Sequence, residues 1–160
     1  MRLQPFEAIV AQYGAMVLRV CRATVGPEAA EDAWSETFLA ALKAYPNLRP
    51  DSNIEAWLVT IAHRKAIDEV RREARRPAAL DDRHDPIDPG VTPGGWQADL
   101  HGAMRDLPSR QRQAVAYHYL AGMPYAEVAR VIGGSPEAAR KAGLDGIATL
   151  RRLYLEGKPR

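Results

Sequence analysis

The side chains able to do acid, base or metal chemistry are few and scattered in this chain. Histidines stand at His63, His84, His101 and His118, separated by 21, 17 and 17 residues, and none of these intervals is the local spacing of a metal site. The single cysteine, Cys21, falls among apolar residues at helical intervals (Tyr13, Met16, Val17 and Val20), so it reads as core rather than nucleophile. One cysteine permits no internal disulfide, and a reducing, cytoplasmic setting is the simplest expectation. No glycine-rich phosphate loop or G-x-S-x-G elbow occurs. Neither catalysis nor a metal or cofactor is expected. The chemistry left to this sequence is binding.

Two clusters are suited to it. From Ala62 to Arg76 the chain holds six Arg/Lys against three acids. Such a run is either a solvated helix laced with ion pairs or a basic helix laid along phosphate. The second cluster surrounds Gly133. Ala129, four residues before it, and Ala139, ten residues after Ala129, supply the small crossing residue and the anchor of a helix-turn-helix, and Gly133 supplies the turn. The same spacing also fits an αα-hairpin that touches no DNA.

Helices must position both clusters. Phe6, Ile9, Val10, Tyr13, Met16, Val17 and Val20 make one apolar stripe, broken at Gly26-Pro27. A second helix is predicted over 28–44, and a third from a cap at Ser52 or Asn53 to about Arg75, with Trp57 and Ile61 in the core. Beyond residue 98, short helices are predicted over 100–106, 109–120 and 125–132. A last one starts at Ser135-Pro136-Glu137, which combines a capping hydroxyl, proline at the first helical position and an early acid. Strand-type alternation is nearly absent, so the fold class is all-α. No apolar run reaches the ~20 residues of a membrane span, and no membrane insertion is expected. Net charge is +1 over residues 1–76, −3 over the Pro/Gly-rich stretch 77–97 and +4 over 98–160. The partition is two small helical domains on a flexible acidic linker, free to move relative to one another.

In their order, these pieces resemble a bacterial sigma-70 family sigma factor of the small, extracytoplasmic-function type. Glu31-Asp32-Ala33-Trp34-Ser35-Glu36-Thr37-Phe38 is similar to the family's E-D-x-x-Q-E-x-F pattern, with Ser35 in place of glutamine. Trp57-Leu58-Val59-Thr60-Ile61-Ala62-His63-Arg64 resembles its W-L-x-x-I-A-x-N, with Arg64 in place of asparagine, and Asp68 to Arg72 its D-x-x-R-R. Leu107-Pro108 with Arg112 resembles its L-P-x-x-x-R, and Tyr125 to Ala129 its Y-x-E-I-A.

The resemblance implies sigma region 2 over 1–76, region 4 over 98–160, and core RNA polymerase and promoter DNA as partners; it also leaves room for an anti-sigma factor. It assigns Asp32, Ser35, Glu36 and Phe38 to polymerase docking. For −10 DNA it implies a flipped-base pocket at Pro50, Asp51, Ser52 and Asn53, followed by Thr60, His63, Arg64 and Lys65, with Arg71, Arg72, Arg75 and Arg76 on phosphates. For −35 DNA it implies Arg140 and Lys141, with Arg110, Arg112, Arg151 and Arg152 as phosphate partners. The recognition helix departs from the basic type: Leu144 and Asp145 stand where basic or hydrogen-bonding side chains are usual, and Gly143 and Gly146 are expected to weaken it. The competing reading is a non-sigma helix-turn-helix regulator or a protein-interaction module.

Overall fold

The computed structural model describes residues 3–75 and 102–156, with side chains described to residue 153. Arg76 and the acidic stretch 77–97 therefore lie outside the described residues. Among the described residues the elements are helices and turns, without strands, as the all-α reading expects.

The first unit is a three-helix bundle: α1 (Phe6–Val25), α2 (Pro27–Ala44) and α3 (Ile54–Ala74). Gly26 stands at φ 88°, a conformation a side chain would strain, and Pro27 then opens α2 with its fixed φ. Asn53 caps α3 by accepting from the Ala56 N–H at 3.1 Å. Val17, Cys21, Ala33, Phe38, Leu58 and Ile61 fill the bundle, and Trp34 donates its indole N–H to the Gly14 carbonyl at 2.9 Å, tying α2 to α1. Trp57 packs half-buried on the same core. Burial pushes the Cys21 thiol up to about 12, so it stays a protonated core residue. By length and composition α1 could cross a membrane, but its buried residues pack on α2, α3 and the second unit.

The second unit holds a helical turn at 102–105, α4 (Ser109–Val115), a π-turn (Ala116–Leu120), α5 (Tyr125–Ile132) and α6 (Pro136–Glu156). The sequence predicts a regular helix through residue 120. Instead the backbone widens after Val115, and the Ala121 N–H bonds the Ala116 carbonyl five residues back at 3.2 Å. This turns Tyr117 fully inward, 0% exposed, and leaves Tyr119 outside. The α5–α6 pair meets through Gly133 with Ala129 and Ala139 buried, as the spacing predicts, and Ser135 Oγ caps α6 through the Ala138 N–H at 3.1 Å.

Gly143 and Gly146, expected to weaken the last helix, lie inside α6, which runs unbroken to Glu156. They lie against neighbours: a Cβ on Gly143 would sit 2.6 Å from the Tyr125 hydroxyl oxygen. One on Gly146 would sit 2.6 Å from Val115 Cγ2 and 3.2 Å from the Gln111 carbonyl. The intrinsic helix penalty of glycine is offset by a close helix crossing. Val20 and Ala23 of α1 and Val59 of α3 belong to the same buried cluster as Val115, Tyr117, Met123 and Val128, so the two units share a hydrophobic seam.

Helix propensity alone favours Gly146→Ala. Because its Cβ meets a backbone oxygen as well as a packed valine, the substitution should instead destabilise the protein by about 1–3 kcal/mol, read as a lower urea midpoint at unchanged slope.

Candidate nucleic-acid and protein interfaces

Three surfaces gather the residues singled out by sequence. The first is a stripe on α2. Asp32 and Ser35 are exposed and Glu36 half-buried, one turn apart, with acids near the helix start where the dipole favours them. Phe38 is not part of this stripe. It is 6% exposed and packs against Phe6 and Trp34, with ring centroids 6.3 and 4.7 Å away. The apolar members of the stripe are Leu39, 58% exposed, and Leu42, which follow Asp32 and Ser35 at seven-residue intervals. A leucine left in water on an otherwise well-packed helix is the signal the sequence did not distinguish from core.

The second surface is the loop before α3 and that helix's outer face. Pro50, Asp51 and Asn53 are exposed and Ser52 half-buried, while Asp51 pairs with Arg49 at 3.6 Å. The Asn53 side-chain carbonyl is used in the cap, which fixes the residue. Thr60, Arg64, Arg71 and Arg75 recur at intervals of four and seven along one face. Thr60 is partly buried and bonds the Ala56 carbonyl at 2.7 Å; Lys65 is half-buried; Arg72 is exposed and reaches Glu69 at 3.3 Å and Glu36 at 3.9 Å. These exposed pairs are worth little and can exchange for phosphate.

The third surface is the outer side of the helix-turn-helix. Arg140, Lys141, Arg151 and Arg152 are all exposed on α6, and Lys141 Nζ reaches Asp145 at 2.9 Å. Arg110 and Arg112 are placed differently from the expectation. Arg110 donates to the Ile132 and Gly133 carbonyls at 3.2 and 2.9 Å, closing the turn between α5 and α6. Arg112 collects the carbonyls of Met104, Arg105 and Leu107 at 2.8–3.0 Å and reaches Thr24 of the first unit at 3.5 Å. Both guanidinium groups are committed to carbonyls at helix ends, which lack a partner within their own helix.

Two bundles of this kind, ordered as they are and ending in a helix-turn-helix with this turn, match known families over most of the chain. Residues 9–76 match sigma-70 region 2, and residues 97–143 match sigma-70 region 4. The chain belongs to the sigma-70 family. It is 33% identical over 157 residues to the ECF RNA polymerase sigma factor BldN of Streptomyces coelicolor, an alignment covering 92% of this chain and 60% of that protein. It is 30% identical over 138 residues to the ECF RNA polymerase sigma factor SigE of Mycolicibacterium smegmatis, covering 80% and 53%. The chain thus spans about half to three fifths of the length of these curated relatives. Among solved structures, CnrH in complex with the cytosolic domain of CnrY superposes with TM-score 0.70 at 25% identity, covering 96% of this chain and 89% of that one. Sigma factor RpoE of Bartonella quintana, bound to the anti-sigma factor NepR, superposes with TM-score 0.79 at 20% identity, covering 93% and 96%, and shows the shared fold.

Within this sigma fold, one expected −10 residue is out of reach. His63 is 7% exposed, and its Nδ1 lies 2.7 Å from the Tyr117 hydroxyl across the seam between regions 2 and 4. The rings meet edge to face at 5.5 Å. Burial first, and the positive charge of Arg64 second, hold the imidazole below its ordinary value of 6.5. The packed arrangement therefore favours neutral His63. The seam keeps its full strength above about pH 6.5 and weakens as pH falls below it, because the separated state takes up the proton more readily. A cleft of about 220 Å³ lies between the two units, lined by Thr24, Ala66, Val70, Arg71, Ser109 and Arg112. Arg105 and Glu28, an exposed pair at 3.7 Å, also join the two units.

Distance labels at exposed Arg19 and Arg130 should move apart as the free protein is taken from about pH 7.5 to about pH 5.5. In His63→Asn, which keeps an acceptor near Nδ1 but cannot be protonated in this range, the distance should not respond to pH. A pH-independent distance in the wild-type protein contradicts the assignment.

Proposed function

We propose that this chain is an RNA polymerase sigma factor: it binds core polymerase and directs it to promoters bearing −10 and −35 elements. The single observation that carries the proposal is the occurrence of region 2 and region 4 together, in that order, over most of the chain. Bond-making belongs to the polymerase, so the sigma reading requires no catalytic group here. The work is done where the polymerase and its DNA are, in the cytoplasm.

In this reading the α2 stripe of Asp32, Ser35, Glu36, Leu39 and Leu42 docks on core polymerase. Its acids steer toward basic partner residues, and the two exposed leucines supply the desolvated contact that holds. The loop at Pro50 to Asn53 takes a flipped −10 base, with Thr60, Arg64, Lys65, Arg71, Arg72 and Arg75 along the strand. His63 joins them only when the seam opens. Region 4 meets −35 duplex through α6, where Arg140, Lys141, Arg151 and Arg152 lie outward. Arg110 and Arg112 serve the fold of region 4 rather than the DNA. An anti-sigma factor is a natural further partner, because a solved neighbour of this fold is named as a complex with such a protein.

With a net charge of +2 and the seam closed, the free chain should bind promoter DNA weakly and lose that binding steeply with salt. Reconstitution with purified core polymerase tests the proposal. The wild-type chain should co-purify with core and start transcription from selected promoters, whereas Asp32→Lys with Glu36→Lys should lose co-purification at unchanged thermal stability. Tight, sequence-specific binding by the free chain, with no effect of core, would favour an ordinary helix-turn-helix regulator instead.

A further inference from the structure

The outward face of α6 carries an exposed leucine at its centre. At about 100° per residue, Glu137, Leu144 and Ala148 fall within about 40° of one another and form its central line. Arg140 and Arg151 lie about 20–40° to one side of Leu144, and Lys141 and Arg152 about 60–80° to the other. All these neighbours are exposed, and Leu144 itself is 50% exposed. The opposite face, Ala139, Gly143, Gly146 and Leu150, is buried against the rest of the second unit, with the two glycines fixing the rotation of the helix by close contact with Tyr125 and Val115. The helix therefore cannot roll to hide the leucine.

Two rows of cations flanking a central leucine suit a duplex groove. The long flanking side chains reach the phosphates on either wall, where they position without carrying sequence information. The central position faces the base edges. There a leucine can form no hydrogen bond, and the one apolar group the major groove offers is the C5-methyl of thymine. On the sigma-factor reading, we infer that Leu144 is a specificity-determining residue that reads a thymine methyl group in the DNA bound by region 4, while Arg140, Lys141, Arg151 and Arg152 hold phosphates. The pair Lys141–Asp145 fits this division, because Asp145 draws the ammonium away from the central line and toward one wall.

The test uses holoenzyme assembled from core polymerase and the full chain. A randomised duplex library is enriched for bound sequences, and each thymine in the region 4 site is then replaced by uracil, which removes only the methyl group. At one position the replacement should weaken binding about fourfold, the worth of one buried methyl group. In Leu144→Ala the same replacement should make no difference, while the salt dependence of binding stays as in wild type. Indifference of the wild type to uracil at every position overturns the inference, as does unchanged uracil sensitivity in Leu144→Ala. Loss of core binding in Leu144→Ala, with DNA preference intact, also overturns it and assigns the leucine to a protein contact. Failure of the wild-type holoenzyme to form or to enrich any sequence overturns the sigma-factor reading itself, and the inference with it.

Discussion

A tyrosine withdrawn from water must place its hydroxyl against a partner, and Tyr117 finds His63, 54 residues earlier and in the other region. Much of the arrangement depends on that one contact. The π-turn is what points Tyr117 inward; a regular helix from 109 to 120 would present the ring at another angle. The imidazole it meets is drawn out of solvent with it and kept neutral. Around the pair, Val20, Ala23 and Val59 close on Val115, Met123 and Val128, so regions 2 and 4 share one buried cluster. The polar bond is modest in net worth, but leaving either partner buried and unmatched costs about 1–3 kcal/mol, which makes the pairing selective.

Much of the local structure was legible in the sequence because local rules decide it. The α5 boundaries, the Gly133 turn and the Ser135 cap all follow from residue types at fixed offsets, and the structure agrees with each; of the two caps offered for α3, Ser52 and Asn53, it uses Asn53. What could not be read depends on partners distant in sequence. Gly143 and Gly146 look like helix breakers until Tyr125 and Val115 stand beside them. Arg110 and Arg112 look like phosphate ligands, since an arginine in a basic protein carries no mark of the carbonyls it will collect. Phe38 and Leu39 are neighbours of similar hydrophobicity on one amphipathic helix. Which of the two faces the core is set by the rotation of α2 against α1, where Phe6 meets Phe38 and Gly14 accepts from Trp34, and a one-residue error exchanges core for surface. The seam itself left no pattern, because His63 and Tyr117 have no local relationship.

The seam also gives the surfaces an order. In the closed protein the α2 stripe and the central line of α6 are already exposed, whereas His63 is covered. A partner that needs only α2 meets no penalty from the closed form. A partner that needs His63 as well must bind the separated form, and its apparent affinity falls by the fraction of protein that is open. Each ~1.4 kcal/mol of seam stability is a tenfold reduction. In the sigma-factor reading, polymerase docking on α2 can therefore begin before the two regions part, and the contacts made with core are what offset the lost seam. Free promoter DNA has no equivalent hold, since phosphates alone do not replace a buried apolar interface. In that reading, selectivity for DNA in the presence of polymerase follows from the packing of the two regions against each other.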